Sequence, residues 1–139
     1  MIIVIDTNII ISAILNPQGV IGLRIIYPSD KVIFLAPEYL KKEIWKHKDR
    51  IKKIGNFTEP DFEEILFVLF GRINFYSEDI FSEYIKNHAN GIMKDGDTKD
   101  IPFVSMALFF RVKIWTGDLK LKKHLVSKGL DICININDF

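Results

Sequence analysis

The stretch Met1-Ile-Ile-Val-Ile-Asp6-Thr7-Asn8 decides the fold. A run of β-branched aliphatic residues that ends abruptly in an acid reads as a short parallel strand buried on both faces. Asp6 then stands at the strand's carboxyl end, where open α/β sheets form their ligand crevice. Working outward, similar apolar runs recur at 31–36, 72–76, 112–116 and 131–136, and helical patterns lie between them. Strands alternating with helices predict a doubly wound sheet with right-handed crossovers. The expected architecture is a three-layer α/β/α fold around a mostly parallel, roughly five-stranded sheet, in a single domain over residues 1–139.

The intervening segments carry their own signals. Residues 8–15 are apolar and end at Asn16-Pro17, because proline disfavours helix in the residue before it. Gly19 to Tyr27 reads as a second short helix. Pro37 suits the first turn of a third, in which Leu40, Glu43, Ile44 and His47 share one face and which runs on to Gly55. Thr58-Glu-Pro-Asp61 has the form of a capping box before a helix with Phe62, Ile65, Leu66 and Leu69 on its inner face. Ser77 or Ser82 is expected to start a helix burying Ile80, Phe81, Tyr84 and Ile85. Residues 90–99, polar and containing Gly91 and Gly96, read as the longest loop. Asp100 opens an apolar helix through Phe110, and Asp118 follows the strand ending in Trp115-Thr116-Gly117. Gly129 fits a C-cap.

Composition narrows the function classes. Hydrophobic residues make up 48% of the chain and eleven are Phe, enough for a filled core and against disorder. A net charge of +1 does not announce a polyanion binder by itself. The single Cys133 rules out an internal disulfide framework and a cysteine zinc cluster, and its apolar neighbours mark it as a core residue. No stretch reaches the roughly 20 apolar residues of a membrane span. The N-terminus lacks the form of a signal peptide, so a cytoplasmic protein with no membrane association is expected.

Asp6 and Asp118 end strands, Asp100 opens a helix, and Glu43 lies on the inward face of one. Asp97, three residues before Asp100, is a fifth acid of the same region. Taken singly, Asp6, Asp100 and Asp118 could each be an ordinary helix cap, while an inward Glu43 demands a partner. Together they point elsewhere. Carboxylates about 4 Å apart repel by roughly 4 kcal/mol per pair at an effective dielectric of 20. Such a group persists only with protons or hard cations among it, and all-oxygen ligands select Mg²⁺ or Mn²⁺ over zinc. Carboxylate-bound ions of this kind hydrolyse phosphodiesters.

Asp6-Thr7-Asn8 after the first strand, Glu43, Asp97-Thr-Lys-Asp100-Ile-Pro-Phe-Val and Ile114-Trp-Thr-Gly-Asp118 resemble the PIN-domain family in order and spacing across nearly the whole chain. The resemblance implies an α/β/α metal-dependent ribonuclease using Mg²⁺ or Mn²⁺, often the VapC-like toxin of a toxin–antitoxin pair. Asp6, Glu43, Asp100 and Asp118 match the family's four acidic positions, and Thr7, Asn8 and Thr116 match its polar supporting positions. Asp97 is an extra acid, which leaves open whether it or Asp100 lies nearer the metal. The partners to expect are RNA, single-stranded or structured, a small antitoxin protein, and a second copy of the chain in a homo-oligomer (a dimer).

Two basic clusters each begin beside a candidate ligand: Lys46, Lys48 and Arg50 follow Glu43, and Lys120 and Lys122 follow Asp118. They are expected to guide RNA phosphates, against the plainer reading as solvated surface. An aspartyl phosphatase of the haloacid dehalogenase type would need a second Asp where Asn8 stands. The remaining alternative is a non-catalytic RNA- or partner-binding module that keeps the fold.

Overall fold

The computed structural model describes all 139 residues. Its centre is a five-stranded sheet, β1 (Ile2–Ile5), β2 (Ile33–Pro37), β3 (Ile73–Tyr76), β4 (Lys113–Trp115) and β5 (Cys133–Ile134), in the order β3-β2-β1-β4-β5. Every pairing is parallel, with Val4 in register between Leu35 and Ile114. The chain first builds outward from β1 to β2 and β3, then returns to place β4 on β1's other edge. The order therefore reverses at the β1/β4 boundary, so the residues just after Ile5 and Trp115 diverge around a common crevice.

Right-handed crossovers send the connections of the first half to one face and those of the second half to the other. The first layer holds α1 (Thr7–Leu15), α2 (Val20–Ile26), α3 (Tyr39–Lys46), α4 (Lys48–Gly55) and α5 (Glu59–Phe70). The second holds α6 (Glu83–Met93), α7 (Ile101–Phe110) and α8 (Leu119–Ser127). The buried core runs through both layers and is mostly Ile, Leu, Val and Phe. Trp115 is fully buried, tilted against Phe34 at 5.9 Å and edge-on to Phe139 at 4.8 Å. No single helix is long and apolar enough to cross a membrane.

The local punctuation follows the residues. Thr58 caps α5 by accepting from the Asp61 amide at 3.2 Å, and Ser82 caps α6 through the Ile85 amide. Gly129 takes the left-handed conformation past α8, at φ 83°, which glycine adopts without steric cost. Four details depart from the sequence reading. Pro37 ends β2 instead of opening α3. The helix expected to run to Gly55 breaks at His47, where φ is −100° and ψ 10°, giving α3 and α4. Residues 90–93 are the last turn of α6, not loop, because Ala89, Ile92 and Met93 are buried against the core. Ile80 and Tyr84, expected inside, are exposed.

Candidate functional site

Asp6 leaves β1 with its backbone still paired, its amide donating to the Trp115 carbonyl at 3.0 Å. Its side chain is buried, 6% exposed. One carboxylate oxygen accepts the Thr7 amide at 2.8 Å and the other accepts the Thr116 hydroxyl at 2.6 Å. The Thr116 oxygen in turn accepts the Asp118 amide at 3.0 Å, and the Thr7 hydroxyl donates to Glu43 Oε1 at 2.6 Å. An unbroken chain of hydrogen bonds thus runs Asp118–Thr116–Asp6–Thr7–Glu43, across β1, β4, α1 and α3. Glu43's partner is a threonine hydroxyl, and none of Asp6, Glu43, Asp100 or Asp118 forms an ion pair.

The acids are therefore without an ion-pair partner, and the carboxyls of Asp6 and Asp100 reflect it. Burial pushes the Asp6 carboxyl up to about 6 despite the two hydrogen bonds that oppose the rise, with Glu43 and Asp118 adding repulsion. Burial likewise lifts Asp100 to about 7, with Asp6, Asp97, Asp118 and Glu43 all contributing. Asp100 occupies a helix N-cap position but makes no capping bond. Its carboxyl faces the other acids instead. Asp118 does both jobs, as one oxygen caps α8 through the Lys120 and Leu121 amides at 2.9 and 3.2 Å. Asp97 is exposed and caps its own short turn through the Lys99 amide. Asp100 is thus the deeper of the two, and Asp97 sits on the rim.

Asp97, Asp100 and Asp118 open onto a cavity of about 280 Å³ completed by Met93, Asp95, Gly96, Lys120, Leu121 and His124. Of the five cations expected to guide RNA, only Lys120 shares it. Lys122 lines a different hollow with Lys113, Asp131 and Cys133. Lys48 is held by Glu59, which Lys52 also engages, and lies over the Trp45 ring at 4.1 Å. Lys46 and Arg50 are exposed and make no ion pair. A larger cavity, about 630 Å³, is an apolar groove between α3 and α5 beside Lys46, Trp45 and Phe67, and none of Asp6, Glu43, Asp97, Asp100 and Asp118 lines it.

The donor chemistry suits a hard divalent cation: uncompensated carboxylates, threonine hydroxyls that orient two of them, and Asn8, whose Oδ1 is buried without a hydrogen-bond partner. The arrangement is an open cluster, since no three acidic, histidine or cysteine side chains already converge as an ion cage.

Two further residues belong to this region. Tyr39 lies one helical turn before Glu43, and its phenol is pushed up by burial and then by Glu43, Asp97, Glu78 and Asp100. The four-residue spacing to Glu43 was the available signal. His124 reaches the Ile92 carbonyl at 2.7 Å, a tertiary contact that no sequence spacing marks.

An all-parallel three-layer sheet with uncompensated acids at its switch point defines an α/β protein with a polyacidic crevice. The PIN-domain family matches residues 4–132, and the chain belongs to that family. Among solved structures, VapBC2 from Rickettsia felis, bound to a DNA fragment from its promoter, has a TM-score of 0.71. The match covers 97% of this chain and 98% of that one at 17% identity, a likeness of fold. No curated protein matches the sequence.

Proposed function

We propose that the protein is a divalent-metal-dependent ribonuclease whose Asp6, Glu43, Asp100 and Asp118 hold Mg²⁺ or Mn²⁺, with Asp97 at the rim. One observation carries the reading: acids carried by four separate elements repel one another across the switch point, and none of them forms an ion pair. A structural cluster would be expected to include a Lys or Arg, because uncompensated buried charge is costly. A bound ion would supply the missing charge, acidify water and offset the negative charge of a phosphodiester.

The chain's own residues set the geometry. Thr116 and the Thr7 amide fix both oxygens of Asp6, and the Thr7 hydroxyl holds Glu43. Tethered in this way, the two carboxylates lose little rotamer freedom when a ligand arrives. Lys120 is placed to meet a phosphate entering the cavity beside Asp100 and Asp118, and Lys46 and Arg50 extend the positive surface along α3 and α4. The R. felis neighbour is VapBC2, bound to a DNA fragment from its promoter. It supports a small antitoxin protein as partner, and hence a toxin role in the cytoplasm.

The test is cleavage of single-stranded RNA by the purified protein. With Mn²⁺ or Mg²⁺ the products should carry 5′-phosphate and 3′-hydroxyl ends, because water is the nucleophile, and chelator should abolish the reaction. Products ending in 2′,3′-cyclic phosphate would show attack by the RNA's own hydroxyl and sink the proposal. RNA binding that is equal with and without metal, and without cleavage, would point to the non-catalytic module.

A further inference from the structure

Three of the four acids belong to the hydrogen-bond chain through Thr116 and Thr7, but Asp100 does not. Its backbone is anchored on one side by α7, whose Phe103 and Val104 are buried beneath the sheet. On the other side it follows the exposed segment 94–99, which forms one wall of the acid cavity. What holds that wall against α8, the helix that Asp118 opens, is a small set of contacts centred on His124.

The imidazole Nε2 lies 2.7 Å from the carbonyl of Ile92, in the last turn of α6. A carbonyl only accepts, so Nε2 carries the hydrogen and donates. It satisfies one of the carbonyls that a helix end leaves without an intrahelical partner. The chain then turns so tightly over the ring that a Cβ on Gly96 would sit 3.0 Å from both His124 Nε2 and Met93 Cε. Outside this, Lys128 Nζ binds Asp95 at 3.0 Å, and the same carboxylate lies 3.7 Å from the imidazole. The other hydrogen bonds of segment 94–99 run within it, to Asp100 and the Ile101 amide at the start of α7, or back to Met93. His124 and Lys128 are its links to α8.

We propose that His124 is a positioning residue that pins the 94–99 wall to α8 and thereby sets the separation of Asp100 from Asp118. The two carboxylates repel each other, so a wall held only by solvent-exposed bonds would splay outward. A ligand needing both would then meet them too far apart. His124 lies six residues beyond Asp118 on the same helix, roughly 9 Å along its axis at 1.5 Å per residue. It lines the same cavity as Asp100 and Asp118, and its polar contacts are to the Ile92 carbonyl and Asp95. The inference rests on the reading of these acids as a cation site.

The experiment is Mn²⁺ binding by calorimetry, alongside the Mn²⁺ concentration for half-maximal RNA cleavage, on wild type, His124→Ala, His124→Gln and Gly96→Ala. His124→Ala should weaken Mn²⁺ binding about tenfold, the low end of what loss of a ligand-orienting contact costs. The half-maximal concentration should rise in parallel, while the rate at saturating Mn²⁺ stays near the wild-type value. His124→Gln, which keeps an N–H donor at similar reach, should restore most of the loss. Gly96→Ala, whose methyl would sit 3.0 Å from the ring so that the wall or the ring must shift by a few tenths of an ångström, should weaken Mn²⁺ binding in the same direction and carries the test if His124→Ala does not fold. Wild-type Mn²⁺ affinity in both His124→Ala and Gly96→Ala overturns the positioning role and leaves the cation site standing. A lowered saturating rate at unchanged affinity also overturns it. Absence of Mn²⁺ binding by the wild type overturns the cation site and this inference together.

Discussion

Asp6 is held by two hydrogen bonds to its charged form and still titrates near 6, because burial outweighs both. A rise from 3.8 to about 6 corresponds to on the order of 3 kcal/mol against the ionised carboxylate at neutral pH. Asn is isosteric and uncharged. In chelator, Asp6→Asn should therefore raise the melting temperature, by about 5 °C for a net gain of 1–2 kcal/mol in a chain of this size. In Mg²⁺ the wild type should gain more than the mutant, since only it keeps the ligand. A residue that served only as a cap would behave otherwise, as Asn caps about as well as Asp and the change would be neutral and metal-independent. Melting curves for both proteins in both conditions measure the difference, and equal gains from Mg²⁺ remove Asp6 from the site. This scale was partly legible in the sequence. Asp100 and Asp118 carry the same letter at the same kind of position, yet only Asp118 caps its helix. The distinction lies in side-chain rotamer and burial, which tertiary packing decides.

Elements were most legible where periodicity and punctuation agreed. The first four strands and α5 follow their apolar patterns, while the fifth, expected over 131–136, is only Cys133–Ile134; Thr58 and Ser82 cap as their chemistry suggests. The end of α6 was obscured by composition: Asn87, Asn90 and Gly91 suggest a loop, yet Ile85, Ala89, Ile92 and Met93 keep a helical spacing and are at least partly buried. The break between α3 and α4 has no Pro or Gly to mark it. Within the basic run the tasks divide by residue and not by helix, since Lys48, Arg50 and Lys52 all lie on α4. Lys48 and Lys52 hold Glu59 and so tie α4 to α5, whereas Lys46 and Arg50 make no ion pair. Only the second pair is available to a polyanion. Lys46→Ala with Arg50→Ala should weaken RNA binding and flatten the salt dependence by roughly 1.4, at about 0.7 per phosphate on a single strand. Mn²⁺ affinity should not change. Filter binding across a salt series decides it, and an unaltered slope leaves the run as solvated surface.

For the molecule as a whole, the reversal of strand order between β1 and β4 is what gathers the acids into one region, and their pH dependence opposes that of the ion-paired Glu59 and Asp95. Glu59 is held down to about 2, first by its hydrogen bond from Lys48 and then by Lys52, and Asp95 is lowered chiefly by Lys128. A carboxyl with a lowered pKa stabilises the fold above its unfolded value, so these contributions disappear as the pH falls through about 4 toward 2. Asp6 and Asp100 work in the other direction. Their folded values, about 6 and about 7, lie above the 3.8 of a free side chain, so the folded state keeps protons that the unfolded chain has already released. Their favourable contribution is complete below about 4 and is lost as the pH rises through 6 and 7. In chelator the melting temperature should therefore peak near pH 4–5 and decline toward pH 8 as both carboxyls ionise inside the cluster. On the proposed reading, added Mg²⁺ would supply the charge that protons no longer provide, so it should flatten the decline. Scanning calorimetry from pH 3 to 8, with and without Mg²⁺, tests both limbs. A melting temperature in chelator that rises steadily to pH 8 would mean that Asp6 and Asp100 ionise without penalty, and the cluster would lose its reason to take up a cation.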